Sequence, residues 1–296
     1  MLCTLESLCA HFLEWTAANR AIGTALGYKR HLDRFRLAVG DVPIADLRAY
    51  HLLDWGRTWH QIQAVQRLFS WAKNDAELCD RNPFARVKKP TPRGRRRILS
   101  EREFARLLAA CRSDFRRLCF VSRETLCRPQ EARTLCWEEL THDETCRTLQ
   151  QALAAGCAFF RLVEFKGRAR RLDPLATRVI PVSLRLGRLL LWLMRDRATL
   201  TGEVLQTYRG SAWSKEKIRQ RMRTARRRAG LLPDRAGEQV CLYTIRHTMA
   251  TVACARGVRD RVLADLMGHS TTRTTARYQH LQVPHLLDAM REIHGD

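Results

Sequence analysis

Acidic residues are scarce in this 296-residue chain: 30 Asp and Glu stand against 53 Lys and Arg, a formal net charge of +23. Binding an acidic small molecule does not call for that excess. A nucleic acid is the first partner it suggests. Long apolar runs are scarce too. The central run Leu189–Met194 is far shorter than the roughly 18 residues that a membrane span needs. The opening residues Met1–Glu6 have no basic lead followed by an apolar stretch, so no secretory signal is expected. An anionic membrane surface would suit the charge, but the apolar faces described below read as core faces. Cys-x-x-Cys is absent although there are eleven cysteines, an odd number scattered from Cys3 to Cys254. The sequence therefore supports neither a zinc site nor a redox pair, and the cysteines read as small buried hydrophobes in a reduced compartment. The expected location is the cytoplasm, on the nucleoid.

Apolar residues make up 45% of the chain, enough for real cores, and the length suits two domains. Residues 1–86 read as a helical unit. Leu5, Leu8, Cys9, Phe12 and Leu13 recur at helical spacing. A second helix is expected from near Thr24, burying Tyr28, Leu32 and Phe35. A third is expected over Leu47–Trp55, after the break at Asp41-Val42-Pro43. A fourth is expected over about Trp59–Lys73, with Ile62, Val65, Leu68, Phe69 and Ala72 on one face. Four short helices suggest a small bundle.

Residues 87–99 read as a basic linker. From Arg86 to Arg97 there are seven basic residues and no acid, interrupted by Pro90, Pro92 and Gly94. Such a strap either crosses a phosphate backbone or is simply solvated. Residues 100–296 read as the second domain. It opens on Ser100-Glu101-Arg102-Glu103, a capping-box pattern, and helical patterns continue to about Leu140. Strands are expected at Phe159–Phe165 and Val179–Val182, joined as a hairpin with a long basic tip.

The C-terminal part carries the most chemistry. It reads Tyr243-Thr244-Ile245-Arg246-His247-Thr248, then an amphipathic segment ending in Gly268-His269-Ser270, then Thr274-Thr275-Ala276-Arg277-Tyr278. Gly268 is placed to end a helix, which leaves His269 on a turn and Tyr278 on the next helix. Tyrosine is a weak nucleophile unless cations surround it. An arginine fork binds phosphate oxygens in two-pronged fashion, and a histidine can donate to another. The set suggests phosphodiester chemistry, though spacing alone also fits an ordinary helix tyrosine.

The order of these residues resembles the C-terminal signature of the tyrosine recombinase (phage integrase) family. Upstream, Thr125-Leu126-Cys127-Arg128-Pro129-Gln130-Glu131-Ala132 with Leu135 and Trp137 resembles the family's first-arginine motif. Phe165-Lys166-Gly167, followed by Arg178-Val179-Ile180-Pro181-Val182, resembles its β-hairpin lysine and the next strand. The likeness covers nearly the whole chain. It implies a mainly α fold with a small β-sheet: an N-terminal helical core-binding bundle and a C-terminal mixed α/β catalytic domain, together clamping double-stranded DNA.

The resemblance implies that Tyr278 attacks a scissile phosphate, forms a 3′-phosphotyrosyl link and releases a 5′-hydroxyl, with neither metal nor other cofactor. Arg128 and Arg246 would hold the non-bridging oxygens, Lys166 would protonate the leaving oxygen, and His269 would donate to the phosphate. The stretch from Gly167 to Thr177 is longer than a short turn, which bears on where Lys166 lies. Glu131 reads either as the group that orients Arg128 or as an ordinary surface partner. The family usually has a histidine where this chain has Tyr243. That residue is then either a hydrogen-bonding substitute or the mark of a slow enzyme. Lys88, Lys89, Arg95, Arg96 and Arg97 in the linker, and Lys215, Lys217 and Arg219 in the segment Ser214–Arg228, are the candidate DNA contacts; a solvated basic face is the alternative. The stripe Leu281, Val283, Leu286, Leu287, Met290 and Ile293 either packs on its own domain or docks on a neighbour, linking a homotetramer on two DNA sites by C-terminal helix exchange. The function expected is site-specific recombination. A type IB topoisomerase-like relaxation, or a catalytically impaired DNA-binding protein, are the alternatives.

Overall fold

The computed structural model describes residues 4–91, 96–163, 165, 177–195 and 197–269. The chain divides into two compact units, Met1–Gly94 and Arg95–Asp296. No helix among the described residues is long and apolar enough to cross a membrane.

The first unit holds four helices: α1 (Leu5–Asn19), α2 (Ile22–Val39), α3 (Ala49–Trp55) and α4 (Trp59–Asn74). α2 begins two residues before the expected Thr24. Thr4 and Thr58 cap α1 and α4 by accepting from Ser7 and Gln61 backbone N–H groups. On α4, Ile62, Val65, Phe69 and Ala72 repeat at three and four residues and are buried. They meet Leu8, Phe12, Leu32, Phe35 and Phe84 in one core. Phe35 and Phe84 are fully buried, and each such side chain contributes about 2–3 kcal/mol. Buried Gln66 donates to the carbonyls of Phe84 (2.7 Å) and Val87 (2.8 Å), tying the segment after α4 to the bundle.

The second unit begins with α5 (Glu101–Ala110), whose Ser100/Glu103 capping box is present. α6 (Ser113–Thr125) and the short α7 (Pro129–Arg133) follow. Helical turns run to Glu139, as expected, and strand β1 (Leu140–His142), which was not expected, follows. Three residues are too few to show a period, so pairing rather than local sequence defines this strand. α8 (Leu149–Ala155), β2 (Ala158–Leu162) and β3 (Arg178–Pro181) complete an antiparallel sheet of order β1-β2-β3. β2 is shorter than the run read from sequence, and β3 has the expected four residues but starts one residue earlier. Leu140, Phe160 and Ile180 lie in one row across the sheet, all buried.

Alternation along β3 buries Arg178 and Ile180 and leaves Val179 and Pro181 outward. Arg178 therefore occupies a core-facing position, opposite Leu162. α9 (Leu184–Met194) packs on α8 so closely that a Cβ on Gly187 would lie 2.2 Å from the Leu153 carbonyl oxygen. α10 (Lys215–Arg228), α11 (Leu242–Ala255) and α12 (Asp260–Met267) end the described chain. Ala250 of α11 packs on Leu263 and Met267 of α12, with Leu126 beside them.

Candidate active site

The last turn of α12 is where the candidate residues meet. Gly268 adopts a left-handed conformation (φ 64°) and ends the helix. Its N–H donates to the Asp265 carbonyl (2.9 Å), and that of His269 donates to Ala264 (2.8 Å). The carbonyls of Leu266, Met267 and Gly268 are left pointing out of the helix end, where partial negative charge collects. Three arginines from three other elements take them up: Arg178 donates to Leu266 (2.8 Å), Arg246 to Met267 (2.7 Å) and Arg128 to Gly268 (2.7 Å).

Arg128 is the N-cap of α7, where Pro129 supplies the fixed φ of a first helical position. Its guanidinium donates from Nη1 to Glu131 Oε1 (2.8 Å), and its backbone N–H donates to Glu131 Oε2 (2.8 Å). Glu131 Oε2 also accepts from Arg178 Nη1. Glu131 is only 5% exposed and Arg178 2%. This is a buried Arg–Glu–Arg triad and not the surface pair that sequence left open. Burial resists ionisation of Glu131, but the Arg178 and Arg128 charges and their hydrogen bonds outweigh it. Its carboxyl is held below the usual carboxylate range.

Arg246 is buried on the face of α11 that carries Leu242, Ile245 and Ala250. Besides Met267, its guanidinium donates to the Leu126 carbonyl (2.6 Å) and lies 3.1 Å from His269 Nε2. Leu126 ends α6 in a left-handed conformation (φ 50°), which costs a non-glycine residue about 1–2 kcal/mol. That turn aims its carbonyl at Arg246, and a charge-assisted bond offsets the strain. Cys127 follows it, fully buried. Burial pushes its thiol up to about 11 against the opposing pull of Arg178, so it stays protonated beside the arginines.

Four sequence candidates therefore converge: Arg128, Glu131, Arg246 and His269. Tyr243 lies on α11 three residues before Arg246 and is 48% exposed. Lys166, Tyr278 and Arg95 lie outside the described residues, as does the apolar stripe from Leu281 to Ile293. Lys88, Arg96, Lys215 and Arg219 are exposed. Lys89 donates to Gln63 (2.6 Å) and Lys217 to Ser211 (2.9 Å). Arg97 is paired with Glu103, which this partner holds below its usual range. Sequence reading did not assign Arg178 a role. The signal was there: an arginine occupies an inward position of a strand whose next inward residue, Ile180, is apolar.

Cations buried around a helix end, held rigid by a carboxylate and by carbonyls, suit an anion whose charge grows during reaction. Arg128 has five N–H donors, and the contacts to Glu131 and Gly268 engage two of them.

Residues 97–285 match the phage integrase family. A tyrosine recombinase of Thermosipho africanus is 26% identical over 240 residues, covering 78% of this chain and 74% of its own. The XerC tyrosine recombinase of Erythrobacter litoralis is 27% identical, covering 96% of this chain and 90% of its own. In fold, the chain is similar to lambda integrase residues 75–356, solved as a dimer bound to a COC′ core site. The TM-score is 0.73 at 16% identity, over 93% of this chain and 95% of that one. The Tn1549 transposon integrase, solved with transposon right-end DNA, gives a TM-score of 0.69 at 14% identity, over 99% and 100%. Because that match spans most of the chain, the protein belongs to the phage integrase family: it is a tyrosine recombinase, a site-specific DNA recombinase that cuts and rejoins DNA.

Proposed function

We propose that Tyr278 is the nucleophile and that the cluster at the end of α12 is its phosphate-binding site. One observation carries this reading. Arg128 and Arg246, from different helices, donate to Gly268 and Met267, flanking the turn that holds His269. A scissile phosphate beside that turn would meet two guanidiniums and an imidazole.

The Tyr278 oxygen attacks phosphorus, a 3′-phosphotyrosyl bond forms and the bond to the 5′-oxygen breaks. Lys166 gives its proton to that leaving oxygen. Arg128 and Arg246 take up charge on the non-bridging oxygens, where it gathers in the transition state. His269 donates to the same phosphate. Glu131 orients Arg128. Tyr243 donates from its hydroxyl, and water takes the proton that Tyr278 loses. The second strand's free 5′-hydroxyl then attacks the phosphotyrosine, which restores Tyr278 and joins the new strand.

Residues 1–86 act as the core-type DNA-binding domain, and residues 100–296 carry the chemistry. Lys88, Lys89, Arg95 and Arg96 of the linker, with Lys215, Lys217 and Arg219 of α10, take phosphate contacts, so binding weakens steeply with salt. Arg97, tied to Glu103, contributes least. A lambda integrase tetramer is known on a Holliday junction. We infer the same assembly here, a homotetramer on two DNA sites joined by exchange of the segment from Leu281 to Ile293, acting in the cytoplasm on the nucleoid.

A covalent trap in cells tests the nucleophile. Wild type and Tyr278→Phe are expressed, denatured in SDS, and the DNA bound to each is recovered and sequenced. DNA joined to wild type alone, at one recurring sequence, is the expected result. Adducts spread without sequence preference would favour DNA relaxation. No adduct from either protein, despite tight DNA binding, would overturn the assignment of Tyr278.

A further inference from the structure

Between Arg128 and Arg178 in the chain, three donor groups meet where β1 ends and β2 begins. The Cys146 and Cys157 sulfurs and a carboxylate oxygen of Asp143 all lie within 4.8 Å of one another. Asp143 follows β1, Cys146 lies just before α8, and Cys157 lies between α8 and β2. The geometry points to a structural binding site for a soft divalent cation, zinc by its chemistry, held by Asp143, Cys146 and Cys157. Sequence spacing concealed it, because the first pair is Asp-x-x-Cys and the second thiol comes eleven residues later.

Both cysteines are free thiols, and the 4.8 Å limit on the donor separations is compatible with a metal. Tetrahedral zinc, with Zn–S near 2.3 Å, sets its sulfurs about 3.8 Å apart. The donors need close by no more than about 1 Å. The donor set is two soft thiolates and one oxygen, which suits zinc and not magnesium or calcium. Asp143 is already oriented: Oδ1 accepts from the Thr145 backbone N–H (3.1 Å) and from the Thr145 hydroxyl. Asp143 is exposed and both cysteines are half-buried, so water can reach the site and supply the fourth ligand. As the two Zn–S bonds form, each thiol releases its proton, two in all. Two thiolates and a carboxylate offset the cation, and a chain of net charge +23 tolerates that local negative charge.

The consequence is local. His142 pairs with Ala158, so a metal here ties the end of β1 to the start of β2 across α8. It would brace the sheet whose third strand carries Arg178.

The test uses the full chain, reduced and freed of metal, titrated with Co2+ as an optical probe and then with Zn2+ in competition against a chelating dye. Wild type should bind one equivalent with a thiolate-to-cobalt charge-transfer band. Cys146→Ser and Cys157→Ser should each weaken zinc at least about 100-fold, and Asp143→Asn at least about tenfold. Zinc should also slow alkylation of Cys146 and Cys157, read by peptide mass spectrometry, while Cys136 and Cys254 react as before. Cobalt spectra unchanged in the Cys146→Ser/Cys157→Ser double variant would overturn the proposal. So would a Cys146–Cys157 disulfide that forms in air as fast with zinc as without it.

Discussion

The Arg178 guanidinium lies against Gly268 so closely that a Cβ there would sit 2.7 Å from both Cζ and Nε. Gly268 thus answers two demands at once, a left-handed φ of 64° and room for a buried arginine. Gly268→Ala should cost about 2–3 kcal/mol and lower Tm by about 5–10 °C. It should cut strand cleavage at least about tenfold, because pushing Arg178 away disturbs Glu131 and Arg128. Gly257→Ala is the control: its φ is 74° with nothing within 4 Å, so it carries backbone strain alone. Melting curves and cleavage of a nicked suicide substrate separate the two variants. Equal losses would mean that contact with Arg178 matters little.

Glu131 should make the enzyme acid-sensitive in a defined direction. Its carboxyl titrates below the usual range in the folded chain, against about 4.3 when unfolded. A depressed folded value gives stability that is fully present above the unfolded pKa and is lost as pH falls through the folded one. Glu131→Gln removes this ion pair and leaves Arg178 buried without a counter-charge, a loss of about 3 kcal/mol at neutral pH. The gap between wild type and variant should be constant from pH 8 to 5 and shrink below about pH 4.3. Urea unfolding at each pH reads it directly. A gap that does not change with acid would show that Glu131 binds its proton equally well folded and unfolded, so that its charge contributes nothing to the difference.

Much of this site can be read from the chain in order, because Arg128, Glu131, Arg246 and His269 fall within recognisable strings. Their partners cannot. Glu131 meets Arg178 across 47 residues, Arg178 meets Leu266 across 88, and Arg128 meets Gly268 across 140. Helical spacing placed Glu131 one turn from Arg128 but could not reveal that both are buried. Strand alternation made Arg178 inward-facing, yet an arginine there reads as an outward residue until the carboxylate that receives it is known. β1 escaped for a related reason: its only signature is the partner strand. Leu126 escaped because nothing in a leucine announces a positive φ. The first unit was easier, since its four helices rest on apolar periodicity alone.

Tyr243, which the family resemblance sets where a histidine is usual, lies half-exposed on α11 three residues before buried Arg246, and this bears on what it can do. A phenol with a pKa near 10 donates a hydrogen bond at neutral pH but does not accept a proton; an imidazole near 6.5 does both. Tyr243→Phe should therefore slow cleavage about tenfold, the worth of one hydrogen bond to a charged phosphate. Tyr243→His should stay within about threefold of wild type at pH 8 if, as proposed above, water takes the proton that Tyr278 loses. It should also bring a new inflection near pH 6.5 into the cleavage profile. Single-turnover cleavage of a suicide substrate from pH 5.5 to 9 measures both effects. A gain of several hundredfold in Tyr243→His would show that proton removal limits the wild type, and that the phenol is a handicap rather than a working substitute.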